Sequence, residues 1–320
     1  MQPVSTSQKF IPIVAEKDYY HSKVGCLSHL NAVTKLKSWL TKRQLELFRQ
    51  SCFGHFLDIH DIKFAAQVVH SLLLRQCNTA TKDEVWILLK GSPIRFSAVE
   101  FSIITGLPFG ALPQLELTSF RLRDTYFDGS SKIRSDNFEK QFKLICESEN
   151  NKATNPTEED GNQTKNANID EDIVKLALIF FLEQALLGKE NKNLIDLQWM
   201  HLVDDLEAFN QFPWGRISYE RTLVSLQKSV DKRNKRTVQK KEVPKKDGKP
   251  KTPTELYTLV GFPFAFQIWA YEAIPALGFR FAARVGQNCP RILNWAKTQI
   301  PRLADVQKVL EQPKVSTHTL

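Results

Sequence analysis

Residues 85–110 read VWILLKGSPIRFSAVEFSIITGLPFG, and the order of the local signals in this stretch decides the class of fold. The run VWILL holds the branched and aromatic residues that favour a strand. Gly91-Ser92 suits a tight type II′ turn, and PIRF returns, giving a small β-hairpin over about 85–96. Ser97 and Glu100 have the spacing of a capping box, so a helix is expected to start there and run through FSIIT. Gly106 is the residue type that most easily closes a helix in the left-handed conformation, and Pro108 follows it. Signals so closely spaced are those of a structural junction, and Arg95 beside the turn is expected to pair with an acid or to cap carbonyls.

Outward from this junction the periodicity is that of helices. Leu30, Val33, Leu36 and Leu40 recur at three and four, and Thr41 with Gln44 gives a second capping box before LELFRQSCF. Asp61 precedes IKFAAQVVHSLLLRQC, in which Ala65, Val69 and Leu72 share a face. NFEKQFKLICE, EDIVKLALIFFLEQALLG, LQWMHLVDDLEAF, SYERTLVSLQKSV, FAFQIWAYEAI and CPRILNWAKTQ are further helices. In FNQFPWGRISYERTL, Pro213-Trp214-Gly215 marks a corner with Trp214 plugging the core and Ser218 capping the next helix. Arg216 has the same structural role expected of Arg95.

With 42% hydrophobic and 25% charged residues in 320, the chain can bury most of its apolar surface. Its formal charge of +9 is local. Residues 228–251 carry 11 Lys and Arg against 3 acids, whereas residues 147–172 carry 8 acids against 2 Lys. The expectation is a mainly α, multi-helix globular domain over residues 21–300 with two disordered charged inserts, acidic at 147–170 and basic at 231–254. Residues 1–20 and 301–320 form tails.

Five cysteines at wide spacing and an N-terminus without an apolar leader fit a reducing compartment, nucleus or cytoplasm, and no secretion. The sequon at Asn162 is then loop chemistry. The apolar run Leu259–Phe279 approaches spanning length but contains Pro263, Gln267, Glu272 and Pro275, so it reads as a buried, proline-bounded helix and no membrane contact is expected.

Chemistry is sparse. Cys52, His55, His60 and Cys77 are zinc-ligand types without ligand spacing. Gly188-Lys189 and Gly248-Lys249 lack the rest of a phosphate loop, and no GxGxxG follows a strand. Asp204-Asp205, on a helix, would point about 100° apart and form a solvated face. No catalytic residue, metal ligand or cofactor is assigned. The candidates for binding are Lys232, Arg233, Lys235, Arg236, Lys240, Lys241, Lys245 and Lys246, which can neutralise phosphates or occupy an import receptor. Without aromatic residues among them, the contact would be electrostatic and indifferent to sequence. The same run also reads as a solvated linker, or as a segment shielded by the acidic insert.

Three blocks in order, EVWILLKGSPIRFSAVEFSIITGLPFG, LVDDLEAFNQFPWGRISYERTL and LVGFPFAFQIWAYEAIPAL, resemble a plant domain of unknown function. In that family the domain precedes a Ulp-type, SUMO-protease-like catalytic domain in proteins of Mutator-like mobile elements. The likeness covers roughly Cys26 to Trp295, with a fainter similarity to the broader plant mobile domains. It implies a plant nuclear protein in which this domain is a non-catalytic module. The family's protease residues lie in a separate downstream domain, for which this chain, ending at Leu320, is expected to have no room, so none is carried over here. The expected function is therefore a non-enzymatic interaction module with an unidentified protein partner. Nucleic-acid binding through residues 228–251 is the alternative, and a cryptic cysteine hydrolase is a distant third.

Overall fold

The computed structural model describes residues 10–116, 120–154, 163–190, 192–230, 255–312 and 315–320. Among these residues lie 13 α-helices and four two-stranded sheets, so the chain is mainly α. They gather into two compact units, one of Met1–Cys26, His60–Thr105 and Tyr219–Leu320, the other of Leu27–Ile59 and Gly106–Ser218.

The first unit is organised around the hairpin read from sequence. Val85–Leu89 pairs antiparallel with Ser92–Phe96, and Leu89 lies opposite Ser92. The two-residue loop is therefore Lys90-Gly91, not Gly91-Ser92. Both loop residues have positive φ, 50° and 82°, which is the type I′ pattern whose twist matches that of the strands. Val85, Ile87 and Leu89 face inward. At the far end of the hairpin Phe96 is fully buried, with ring centroids 5.2 Å from Phe266, 5.5 Å from Trp269 and 6.1 Å from Tyr219.

Helix Ala98–Thr105 follows at once. The Glu100 carboxylate, 1% exposed, accepts from the Ser97 amide at 2.7 Å, the Ser97 hydroxyl at 2.5 Å and the Arg95 guanidinium at 3.1 Å. The Ser97 hydroxyl in turn accepts from the Val99 amide at 3.2 Å. Arg95 thus pairs with an acid, as expected, and the helix closes before Gly106 at φ 67°.

The long apolar run is divided. Helix Pro263–Ala273 ends at Ile274, whose φ of −128° and ψ of 83° lie outside the helical region that the following Pro275 disfavours, and a second helix occupies Pro275–Phe281. Among the described residues no helix is long and apolar enough to cross a membrane. Just before Pro263, Gly261 has φ 79°, and a Cβ there would lie 2.4 Å from the Thr222 hydroxyl, which itself accepts from the Phe262 amide at 2.7 Å. Only glycine fits this approach.

Three expectations change within the first unit. The helix expected after Asp61 begins at Ala66, because the Ala65 amide donates instead to the Gln267 side chain at 2.7 Å. CPRILNWAKTQ is not a helix. Arg291–Asn294 forms one 3₁₀ turn and Trp295–Ala296 pairs with Ala283–Arg284, while the Asn294 amide group bonds the backbone of Asn288. The segments read as tails hold elements: Ile11–Pro12 pairs with Cys77–Asn78, and helix Leu303–Leu310 buries Val306, Val309 and Leu310. Distant chain segments also meet in the parallel pair Ser22–Cys26 with Glu255–Leu259.

In the second unit the Thr41 capping box forms as read, with Gln44 amide to Thr41 hydroxyl at 3.2 Å and Thr41 amide to Gln44 side chain at 3.0 Å. Trp214 is fully buried among Phe212, Phe209, Trp199 and Phe53, with ring centroids at 4.5, 4.7, 5.0 and 5.9 Å. Helix Trp214–Ser229 starts at this residue, straight after Pro213. Ser218 is consequently inside the helix and does not cap it; its buried hydroxyl donates to the Leu186 carbonyl at 2.8 Å.

The acidic insert is helical at both ends. Helix Ser135–Thr154 runs past 147, held by buried Cys146 and a Lys143–Glu147 pair one turn apart at 3.4 Å, and helix Gln163–Phe181 begins inside it. Residues 155–162 and the basic insert 231–254 lie outside the described residues.

Replacing Glu100 with Ala is expected to lower stability by about 2–3 kcal/mol, since it strands an amide and a hydroxyl, and Ser97→Ala by about 1 kcal/mol. The double variant should lose less than the sum, because both side chains act through one contact. Urea denaturation of the four proteins measures this.

Candidate functional site

A cleft of about 580 Å³ opens in the second unit, with Glu116, Arg121, Lys175, Asp204 and Asp205 as its charged lining, and Asp172 lies behind it as a partner of Arg121. Arg121 is the first residue of helix Arg121–Tyr126. Asp172 and Lys175 lie on helix Gln163–Phe181. Asp204 and Asp205 occupy the turn between helices Leu197–Leu202 and Leu206–Gln211. This turn corrects the sequence reading of one helix through LQWMHLVDDLEAF. Asp205 is the N-cap of the second helix, accepting from the amides of Glu207 and Ala208, both at 3.0 Å.

Asp204 is likewise no solvated-face acid. Arg121 grips it at 2.7 and 3.2 Å while holding Asp172 in a two-pronged contact at 2.8 and 2.5 Å. The Tyr126 hydroxyl donates to Asp172 at 3.0 Å, and Lys175, itself buried, bridges Glu171 at 2.7 Å and Asp204 at 3.7 Å. The planar guanidinium is suited to this, since it can offer parallel N–H pairs to two carboxylates at once.

These contacts fix protonation. The hydrogen bond to Asp172 holds Arg121 firmly cationic. Burial first, and the Asp172 charge second, push the Tyr126 phenol well above its ordinary range, so it remains a donor. Arg121, Lys175 and Asp204 in the lining are therefore engaged in ion pairs that hold the helices together.

On the other side of helix Leu206–Gln211 lies a second depression, of about 390 Å³, lined by Leu47, Val174, Leu178, Leu206, Asn210 and Gln211. Most of its exposed surface is apolar, though Glu171 and Glu207 also line it, so this short helix lies between a charged cleft and a more apolar one.

The remaining sequence candidates fall elsewhere. Lys232, Arg233, Lys235, Arg236, Lys240, Lys241, Lys245 and Lys246 lie outside the described residues. Arg216 donates to the Gly110 carbonyl at 3.4 Å, a structural contact. Among the described residues no group of three or more His, Cys, Asp or Glu could hold a metal ion, and Cys52 and His55 belong to a different unit from His60 and Cys77. All five cysteines are free. Burial pushes the thiols of Cys52 and Cys146 up to about 12, the opposite of what a nucleophilic thiolate requires.

The sequence reading missed the Arg121 network. Glu171 and Lys175 are legible as a pair one turn apart, and an Asp just before a helical run is a cap signal, but nothing local links Arg121 to Asp172 or Asp204.

A family model described as Domain of unknown function (DUF1985) matches residues 73–225, a stretch that contains the hairpin junction and the Trp214 corner. No curated protein matches the chain. No solved structure matches it.

Arg121→Met is expected to cost about 1–3 kcal/mol by leaving Asp172 without its two charge-assisted bonds, and Arg121→Lys should recover part of that. Chemical denaturation reads both. Titration with a thiol reagent at pH 8 should modify exposed Cys289 at once in the folded chain, half-buried Cys52 more slowly because its pKa is raised, and Cys146 only on unfolding.

Proposed function

We propose that this chain is a non-enzymatic interaction module, of the kind found beside Ulp-type proteases in plant mobile-element proteins, and that it works in the nucleus. The observation that carries the reading is helix Leu206–Gln211, flanked by a charged cleft whose Arg121 and Asp204 are engaged in holding helices and by a more apolar depression. A partner of mixed character, apolar on one edge and polar on the other, fits such a surface. The high thiol pKa values and the neutral Tyr126 speak for recognition over chemistry. The plant, mobile-element and nuclear setting rests on the three sequence blocks.

Nucleic-acid binding through residues 228–251 is the second reading, favoured by 11 cations against 3 acids. It requires duplex binding that weakens steeply with salt and disappears when the eight Lys and Arg of 232–246 become Gln.

Ala208→Trp should fill the charged cleft from a half-buried position without disturbing the core. In cross-linking mass spectrometry of the chain expressed in plant cells, the intact protein should join a defined second protein near residues 205–211, and the variant should lose that link at unchanged melting temperature. Identical links in both, or substrate turnover lost on Cys→Ser replacement, would overturn the module reading.

A further inference from the structure

Residues 279–302, FRFAARVGQNCPRILNWAKTQIPR, carry five cations and not one acid. The fold of the first unit brings the two ends of this segment side by side. Ala283 and Arg284 pair with Ala296 and Trp295, the Val285 amide donates to the Asn294 carbonyl at 2.8 Å, and the Gln299 amide donates to the Phe281 carbonyl at 2.8 Å. Phe281, Ile292 and Trp295 anchor the corner in the core, at 1%, 0% and 3% exposure.

What the corner leaves outside is unusual. Phe279 is 80% exposed and Ile300 68%, on an element that is otherwise firmly packed. Arg280, Lys297 and Arg302 on the same corner are exposed, the Arg280 guanidinium lying 5.5 Å from the Phe281 ring, and Lys297 takes φ 50°, a conformation that non-glycine residues adopt rarely. Arg284 is spoken for by Glu272 at 3.6 Å, and Asp305 sits one turn into the helix that Arg302 precedes. The corner thus exposes three cations and the Phe279 ring.

A single exposed apolar side chain needs no explanation, but an exposed ring on the same corner as exposed guanidinium and ammonium groups supplies the recognition chemistry of an unpaired base and its phosphates. The basic insert lacks this combination, having no aromatic residue. We propose that the corner formed by residues 279–285 and 294–302 binds single-stranded nucleic acid, with a base stacked on Phe279 and phosphates on Arg280, Lys297 and Arg302. A duplex offers no free base face for the ring, so single strands are preferred. This site is independent of both the protein-module reading and the insert.

The test is fluorescence polarisation of the full chain with a labelled 12-nucleotide oligo(dT) or oligo(U), against duplex DNA of equal length, an acidic peptide and anionic phospholipid vesicles. Single strands should bind best. Phe279→Ala should weaken that binding by about tenfold and Phe279→Trp should retain it. Replacing Arg280, Lys297 and Arg302 with Gln should reduce the logarithmic salt slope by about 2. Both effects should persist when the eight cations of 232–246 are replaced by Gln, which separates this site from the insert. Single-strand affinity indifferent to Phe279 and to the three cations would overturn the proposal. So would loss of all binding with the insert variant, or tighter binding of duplex, peptide or vesicles. Because Phe279 is exposed, its variants are expected to fold, and an unchanged melting temperature verifies that.

Discussion

The buried carboxylate of Glu100 is the constraint around which the first unit is arranged. A charge at 1% exposure must have its lone pairs filled, and three donors from Arg95 and Ser97 fill them. Satisfying that one group fixes where the hairpin ends, where the helix begins and how the chain turns between them. With the turn fixed, Phe96 points into the aromatic set of Tyr219, Phe266 and Trp269, which come from far along the sequence. Local capping chemistry and long-range packing are coupled through a single side chain.

The second unit follows the same logic with other groups. Its apolar centre is Trp214, whose indole N–H donates to the Phe209 carbonyl at 2.7 Å, so that a bulky ring is buried without leaving a polar atom unmet. At its surface Arg121 ties three helical segments by two aspartates. Arg121 is part exposed but Asp172 is buried, so the pair adds to stability, and the bidentate guanidinium fixes the geometry of the helices it joins.

The surface divides the functional possibilities by chemistry. The charged cleft and the more apolar depression on either side of helix Leu206–Gln211 offer recognition by mixed polar and apolar contacts. The cationic corner with bare Phe279 offers stacking and phosphate contacts. The Cys146 thiol is buried and the Cys52 thiol half-buried, and burial raises the pKa of both, so they offer little to covalent chemistry, in which the thiolate is the reactive form.

Sequence alone determined the mainly helical class, the hairpin, the capping boxes at Thr41 and Ser97, the role of Arg95 and the burial of Trp214. Each depends on groups within a few residues of one another, where spacing and side-chain type set the geometry. Tertiary structure decided the rest. It moved the hairpin loop to Lys90-Gly91, made Asp204 a partner of Arg121, placed Ser218 inside a helix and turned CPRILNWAKTQ into a turn and a strand. It also set Lys297 and Ile300 beside the Phe279 corner. In each case the deciding partner is distant in the chain or belongs to a register that only packing selects, and local periodicity carries no information about which distant group will satisfy a given donor, acceptor or apolar face.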